Sequence, residues 1–236
     1  MRAAGKIVRG ALDLAKGMIR PGVSTMEIDQ AVEDYIKAKN AIPSFKGYGG
    51  FPGSACLSLN DEVVHGIPSL QRELQEGDIV GVDIGAIIDG FHGDAAETYP
   101  VGVIEEKVGR LLETTSQSLM LGISAAIVGN RISDISWAVQ SHAQGRGFSV
   151  VESFVGHGIG KEMHEDPPVP NFGKPGRGPK LRTGMTLAIE PMLNMGGYEV
   201  YVMPDKWTVK TSDGSLSAHF EHTIAITENG PEILTI

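Results

Sequence analysis

The chain has 236 residues, of which 41% are apolar and 21% charged, the balance expected of a globular protein that can bury a full core. Its net charge of −9 argues against a general nucleic-acid binder. The one cysteine, Cys56, excludes an internal disulfide and fits a reducing compartment. The N-terminal segment is charged and unlike a signal peptide, and no apolar run approaches the roughly 20 residues of a membrane span. We therefore expect a cytoplasmic protein without membrane contacts.

The first part of the chain predicts two helices and then an irregular aromatic segment. Apolar residues at helical spacing predict a helix over residues 2 to about 19. Ser24 or Thr25 can cap a second helix that has Glu27 or Asp29 in its first turn. Phe45 to Ala55 (FKGYGGFPGSA) is too rich in glycine to be regular. Its aromatic side chains either cover a core edge or line a pocket, and the residues alone favour the core edge.

The stretch from Gly77 to Thr98 predicts a β-hairpin that carries two carboxylates. It reads GDIVGVDIGAIIDGFHGDAAET, two apolar runs joined by Asp89-Gly90, a dipeptide typical of hairpin turns. Asp83 and Asp94 occupy matching places in the two runs. Because a carboxylate among Val, Ile and Gly is costly to bury without a cation, two of them on neighbouring strands indicate a metal ion.

The second part of the chain again begins with helices. Two amphipathic patterns predict helices over residues 107 to about 128 and 131 to about 145. The glycine- and proline-rich stretch that contains His157 and His164 predicts a loop.

Two further acids fall inside apolar runs. Residues 183–193 and 219–227 each predict an unbroken strand, and these strands contain Glu190 and Glu221.

The four acids are related by an internal repeat. The segment PGVSTMEIDQAVED aligns with VGNRISDISWAVQS at an offset of 107 residues, and the same offset places Asp83 opposite Glu190. After an extra twenty residues in the second half, HGD aligns with HFE, so that Asp94 pairs with Glu221. A duplicated fold repeats its glycines and aliphatics whatever its chemistry, but that alone does not account for repeated acids inside apolar strands.

The repeat also defines the expected architecture. We expect one catalytic domain, residues 1–236, with pseudo-symmetric halves of about 1–106 and 107–236. Helices followed by strands, twice over, predict an α+β fold in which the helices pack on one face of a curved, mostly antiparallel sheet.

Four facing carboxylates predict a dinuclear metal centre. They would repel one another and raise each other's pKa values. Two divalent ions about 3.5–4 Å apart balance this charge and lower the pKa of a bound water to about 7, which is the chemistry of a hydrolase. A histidine commonly completes such a site, and the candidates are His65, His157 and His164.

The sequence resembles the methionine aminopeptidases of the pita-bread fold, in metallopeptidase family M24. The resemblance runs the whole length of the chain, and no long helical insertion precedes the third acid, which is typical of type I rather than type II. Its motifs are Asp83, Asp94, GHGIG with His157, AIEPM with Glu190, FEHT with Glu221, HGIP with His65, and the later His164.

The resemblance implies which residues hold the ions. Asp83 would chelate one divalent ion, and His157 and Glu190 would hold the other. Asp94 and Glu221 would bridge both. The ions could be Co, Mn, Fe or Zn, because mixed carboxylate and imidazole ligands do not choose sharply among them.

The resemblance also implies catalytic roles. Glu190 would shuttle protons, and His164 would polarise the scissile carbonyl or stabilise the tetrahedral oxyanion. His65 would hydrogen-bond the backbone nitrogen of the second residue. The implied reaction is removal of an N-terminal methionine that precedes a small residue such as Gly, Ala or Ser.

Further positions match binding sites of the family. Phe45 and Met163 depart from bacterial relatives, which often carry cysteine and phenylalanine there. Asn60 and Ser217 match a monovalent-cation site. The positions that match the methionine side-chain pocket are Phe45, Tyr48, Phe51, Cys56, Met163 and Trp207.

The implied substrates are the N-termini of nascent polypeptides at the ribosome, handled by a monomer without direct nucleic-acid contact. Two alternatives remain. A Xaa-Pro aminopeptidase or prolidase shares the five metal ligands but usually carries an extra N-terminal domain. A non-catalytic pita-bread protein that binds RNA or partner proteins would lose several of the ligands.

Overall fold

The computed structural model describes residues 1–236 and contains four α-helices and fifteen β-strands. The helices are α1 Arg2–Met18, α2 Thr25–Ala38, α3 Glu106–Ala125 and α4 Ile132–Gly145. The strands are β1 Ile42–Pro43, β2 Ala55–Leu59, β3 Glu62–Val64, β4 Ile79–Ile88, β5 Phe91–Pro100, β6 Ser149–Val150, β7 Gly156–Gly158, β8 Glu165–Val169, β9 Thr186–Ile189, β10 Met192–Asn194, β11 Val200–Val202, β12 Val209–Thr211, β13 Ser217–His219, β14 His222–Thr227 and β15 Gly230–Ile233. None of the helices has both the length and the apolar composition that a membrane crossing requires.

The four predicted helices are confirmed within a few residues at each end. The start of α2 shows why the sequence places it there. The Ser24 hydroxyl accepts a hydrogen bond from the Glu27 amide, and the Glu27 carboxylate accepts one from the Ser24 amide. This reciprocal pair satisfies two amides that would otherwise have no partner at the helix end.

The predicted hairpin is also confirmed. Strands β4 and β5 pair antiparallel over ten residues each, and both turn residues, Asp89 and Gly90, have positive φ as a tight hairpin turn requires. Asp83 lies opposite Ala96, two residues from Asp94, so the two acids are diagonal neighbours on one face of the sheet.

Helices α1 and α2 pack on the β2–β4–β5 sheet around one apolar core that includes Leu12, Ile36 and Ile84. Helices α3 and α4 pack on the strands of the second half around further apolar clusters that include Ile135, Leu187 and Ile224. Every sheet pairing is antiparallel. Because helices cover these faces of the sheets, the other face is left for the acids.

The loop predicted around His157 and His164 is wrong in part, because strands β7 and β8 form there. Strand β7 lies between β8 and β9 in a five-stranded sheet. A Cβ at Gly156 would lie 2.3 Å from the Ala188 carbonyl oxygen, and one at Gly158 would lie 2.3 Å from that of Asp166. These glycines therefore allow close approach of neighbouring strands and do not mark a turn.

The two unbroken strands predicted over residues 183–193 and 219–227 are wrong. The first breaks at Glu190-Pro191 into β9 and β10, which belong to different sheets. Proline has no amide to continue a ladder. The second breaks at Phe220-Glu221 into β13 and β14, which again belong to different sheets. The second-half acids thus lie where the chain changes sheets, whereas Asp83 and Asp94 lie inside continuous strands.

Strand β5 meets the second half of the chain along a short antiparallel seam. The Glu221 amide donates to the Ala96 carbonyl at 2.8 Å. On one side of this bond the Thr223 hydroxyl donates to the Asp94 carbonyl and accepts from the Asp94 amide. On the other side the Thr98 hydroxyl makes the same two bonds with the backbone of residue 219. The seam places the carboxylates of Asp94 and Glu221 side by side.

Candidate active site

One cleft collects every side chain that the resemblance assigns to metal, catalysis or the methionine pocket. The cleft has a volume of about 620 Å³, including the solvent at its mouth. Its lining residues are Phe45, Tyr48, Phe51, Cys56, His65, Asp83, Asp94, His157, Met163, His164, Glu190, Trp207 and Glu221. Acids occupy one part of the cleft and apolar side chains the other, so it can hold a molecule with one polar and one apolar end.

The four acids of the cleft lack cationic partners. No lysine or arginine forms an ion pair with any of them, and one buried oxygen each of Asp83, Asp94 and Glu221 has no hydrogen-bond partner. Burial raises the pKa of Asp83 to about 7. Burial, with the charges of the neighbouring carboxylates, raises the pKa values of Asp94, Glu190 and Glu221 well above their usual range.

His157 completes the acidic cluster from strand β7. Its Nδ1 lies 2.9 Å from the Gly158 carbonyl oxygen, which turns Nε2 toward the acids. Nε2 lies 3.6 Å from Glu190 Oε1 and 4.0 Å from Asp94 Oδ2. Burial lowers the His157 pKa to about 4, so the imidazole is neutral at pH 7.

This arrangement fits divalent cations. Ligand atoms of Asp94, His157 and Glu221 all lie within 4.8 Å of one another. Oxygen atoms without partners and a neutral, oriented imidazole are what a divalent ion needs as ligands. Without an ion, the cluster is a set of buried groups whose charged forms burial disfavours.

His65 and His164 lie at the border between the acids and the apolar part of the cleft. The Tyr48 hydroxyl lies 2.8 Å from Nδ1 of His164, whose ring centroid is 4.4 Å from that of His157. His65 has φ +60°, a conformation that few non-glycine residues adopt, and its ring packs edge-on against Trp207 at 6.3 Å. Both imidazoles can therefore reach a substrate that lies between acids and pocket.

The apolar part of the cleft is a compact cluster. Phe45, Phe51, Cys56 and Met163 are buried together, and the ring of Trp207 meets that of Phe51 at 5.2 Å in an edge-on contact. Aromatic side chains of the glycine-rich segment thus line the cleft, as the pocket alternative predicted, and two of them, Phe45 and Phe51, are at the same time buried in an apolar cluster. Sulfur and aromatic groups of this kind form a favourable wall for a thioether side chain.

The two residues matched to a monovalent-cation site also lie together, outside this cleft. The Asn60 carbonyl accepts a hydrogen bond from the Ser217 amide at 2.9 Å, and the Asn60 side chain bonds to Asp78 and to the Ile79 amide.

Sequence reasoning missed two residues that contact Glu190. The side-chain amide of Asn171 donates a hydrogen bond to the backbone carbonyl of Glu190 at 3.0 Å. His219 is buried, and its Nε2 has no hydrogen-bond partner and lies 3.6 Å from Glu190 Oε2. The repeat alignment of HGD with HFE contained a signal for this residue, because it placed a histidine two positions before one of the four acids in both halves.

The seam offers a direct test of how Asp94 and Glu221 are held in place. We expect Thr223→Val to lower the free energy of unfolding by about 1–3 kcal/mol, because the Asp94 amide and carbonyl lose a buried partner. Thr223→Ser keeps the hydroxyl and should therefore retain most of the stability that Thr223→Val loses. Urea unfolding of both variants measures it, and equal stabilities would show that the seam bonds contribute nothing.

An antiparallel α+β fold around a largely buried cluster of four acids and a histidine is the architecture of a class of metallopeptidases, and the model of metallopeptidase family M24 matches residues 1–228. A methionine aminopeptidase of Clostridium acetobutylicum is 56% identical over 236 residues, covering 100% of this chain and 94% of the relative. The chain therefore belongs to the methionine aminopeptidases of family M24, and its fold is the pita-bread fold.

Solved structures agree with this assignment. The crystal structure of a methionine aminopeptidase from Thermotoga maritima superposes with a TM-score of 0.98 at 48% identity, covering 100% of this chain and 94% of that one. A prolidase from Pyrococcus furiosus has a TM-score of 0.80 at 24% identity, and this chain covers 62% of it. The second likeness is one of fold alone.

Proposed function

We propose that the chain removes the N-terminal methionine from nascent proteins and peptides, and that residues 1–236 act as one catalytic domain. The observation that carries the proposal is the single cleft in which the acids and His157 adjoin an apolar pocket lined by aromatic and sulfur-containing side chains. The methionine side chain would occupy the pocket, and its free α-amine would lie beside the acids. Only a chain end offers such an amine, so cleavage would be confined to the N-terminal residue.

We propose Asp83, Asp94, His157, Glu190 and Glu221 as the ligands of two divalent ions. Such ions supply a Lewis acid and a water of lowered pKa when bound. Co, Mn, Fe and Zn all suit this ligand set. The ligands must bind as carboxylates and a neutral imidazole, which burial already secures for the imidazole.

Three side chains would act on the substrate itself. Glu190 borders the cleft from the point where β9 ends and can accept and return a proton at its carboxylate. His164, oriented by the Tyr48 hydroxyl, would donate a hydrogen bond to the scissile carbonyl. His65, on the pocket side, would bond the nitrogen of the second residue and help it leave as an amine. A small residue after the methionine would be preferred, because Glu190, His164 and His65 would surround the scissile peptide bond and leave little room for a larger side chain.

The proposed substrate also implies where the protein acts and with which partners. We propose a cytoplasmic monomer that meets nascent chains at the ribosome without binding nucleic acid directly. A monovalent cation near Asn60 and Ser217 would support the Asn60 turn, which has φ +55°.

Peptide cleavage tests this function against its rival enzyme. Incubated with Mn²⁺, Co²⁺, Fe²⁺ or Zn²⁺, the protein should release free methionine from Met-Ala-Ser and leave an Ala-Pro peptide intact. Product analysis by mass spectrometry distinguishes the two. Cleavage before proline would favour a Xaa-Pro peptidase. An absence of turnover with every ion would favour the non-catalytic alternative, although the complete ligand set argues against it.

A further inference from the structure

Four of the side chains that line the apolar part of the cleft come from one short piece of chain, residues 45–56, which we term the pocket segment. It contributes Phe45, Tyr48, Phe51 and Cys56. Its regular structure between Phe45 and Ser54 is one short 3₁₀ turn, and Gly47, Gly49 and Gly50 all have positive φ. A glycine-rich segment with so few ladder bonds depends on its neighbours for a fixed shape.

The neighbour that fixes the end of the pocket segment is helix α2. Asp29 is buried, and its Oδ1 accepts hydrogen bonds from the amides of Ser54 and Ala55 at 2.7 and 2.8 Å. Two amides on one carboxylate oxygen hold this end of the segment against the helix.

A second acid of α2, one turn further on, holds the beginning of the segment. The Glu33 side chain is only 5% exposed and forms ion pairs with two lysines. Lys37 belongs to the same helix, whereas Lys46 belongs to the pocket segment, next to Phe45. Both hydrogen bonds lower the Glu33 pKa to about 2, so the carboxylate is charged at pH 7.

The position of Lys46 links this ion pair to the pocket wall. On its sheet side, Phe45 lies against β4 so closely that a Cβ at Gly85 would be 2.8 Å from its ring. The Ser44 amide also donates to the Gly85 carbonyl at 2.9 Å. On its helix side, the Lys46–Glu33 pair ties the beginning of the segment to α2, as Asp29 ties its end. Phe45 is therefore held between β4 and α2.

We propose that Glu33 and Lys46 are positioning residues that set the selectivity of the cleft for methionine over other apolar side chains. The inference rests on the proposed function, since it assumes that the substrate side chain occupies the apolar pocket. Small displacements of a pocket wall change the discrimination between apolar side chains of similar size, which differ by only about 1–3 kcal/mol in a hydrophobic pocket. Lys46 touches no part of the cleft itself, so its effect must pass through the segment.

The two lysines on one carboxylate provide a matched pair of variants. Lys46→Met and Lys37→Met remove the same charge from the same acid, but only the first releases the pocket segment. We expect Lys46→Met to lower the ratio of kcat/KM for Met-Ala-Ser to that for Leu-Ala-Ser by about five- to tenfold. Lys37→Met should leave the ratio within about twofold, and Lys46→Arg should keep it because the ion pair can form again.

A second measurement needs no turnover. Amide hydrogen exchange over residues 44–55, followed by mass spectrometry in the metal-free protein, should accelerate in Lys46→Met and stay unchanged in Lys37→Met. If the wild type released no methionine, the proposed function would fail, and calorimetric affinities for free methionine and leucine would then carry the selectivity comparison. An unchanged selectivity in Lys46→Met, or equal changes in both lysine variants, would overturn the inference.

Discussion

Glu190→Gln is expected to lower kcat/KM for methionine release by at least about 10³-fold, because the amide can neither bind an ion as a carboxylate does nor accept and return a proton. The change preserves the shape of the side chain and removes a group whose charged form is disfavoured by burial and by Asp83 and Asp94. The metal-free variant should therefore fold as well as the wild type.

The matched control is Glu228→Gln, an exposed acid in the turn after β14. It carries the same chemical change outside the cleft and should retain full activity. Steady-state kinetics with Met-Ala-Ser and thermal unfolding of both variants give the comparison. Activity in Glu190→Gln within tenfold of the wild type would remove Glu190 from the proposed ligand and proton-transfer roles.

Removal of divalent ions is expected to make stability fall as the pH rises above about 6.5. In the metal-free cleft the folded-state pKa of Asp83 is about 7, against 3.8 for an exposed aspartate, and the pKa values of the other three acids are also raised. A carboxyl group of this kind binds more protons in the folded state than in the unfolded state. Its contribution to stability is complete below the unfolded pKa and is lost as the pH rises through the folded pKa.

The buried histidines act in the opposite direction and at lower pH. Burial lowers the pKa values of His65 and His157 to about 4 and that of His219 to about 3, against 6.5 when exposed. Below pH 6.5 the unfolded chain takes up protons that the folded chain does not, so stability is lost as the pH falls toward 4. Above pH 6.5 the histidine effect fades as the unfolded histidines lose their protons, and the carboxyl effect is then the larger of the two.

Urea unfolding between pH 6.5 and pH 8.5 tests this prediction. With a chelator present, the unfolding free energy should fall with rising pH, and Glu221→Gln, which removes an acid whose pKa is raised well above its usual range, should flatten the fall. With Mn²⁺ at about 100 times its dissociation constant, binding adds about 2.7 kcal/mol. The fall should then disappear because bound ions keep the carboxylates ionised. The same pH dependence with and without the ion would contradict the burial of these acids as a metal-free cluster.

Most of the fold could be predicted from sequence patterns that span only a few neighbouring residues. The helix periodicity, the Ser24–Glu27 cap and the Asp89-Gly90 turn are each encoded within a few residues, so their elements were found almost to their ends. The break at Glu221 was missed because a change of sheet depends on partners far away in sequence, whereas Pro191 was a local signal for the break at Glu190. An apolar run has the same appearance whether or not its partner strands change halfway along.

The internal repeat made part of the candidate site predictable, but contacts between residues that are distant in sequence could not be predicted. The internal repeat singled out four acids, and all four line the cleft. His219 was missed because it belongs to the site through its contact with Glu190, at 3.6 Å, and no spacing in the sequence encodes that contact. The role inferred for Lys46 escaped for the same reason, since its partner Glu33 lies thirteen residues away on a different element.

The seam joins β5 of the first half to the segment around Glu221 of the second half. An ion held by Asp94 and Glu221 would therefore also help to join the two halves of the chain. Asp94 comes from one half and Glu221 from the other, and the ladder between them is only a few residues long. Without an ion, ionisation of both acids would place two like charges across the seam, which is why burial and each other's charge raise their pKa values. With an ion, the same two side chains would hold the seam together, so catalytic competence and the cohesion of the two halves would arise in one binding event.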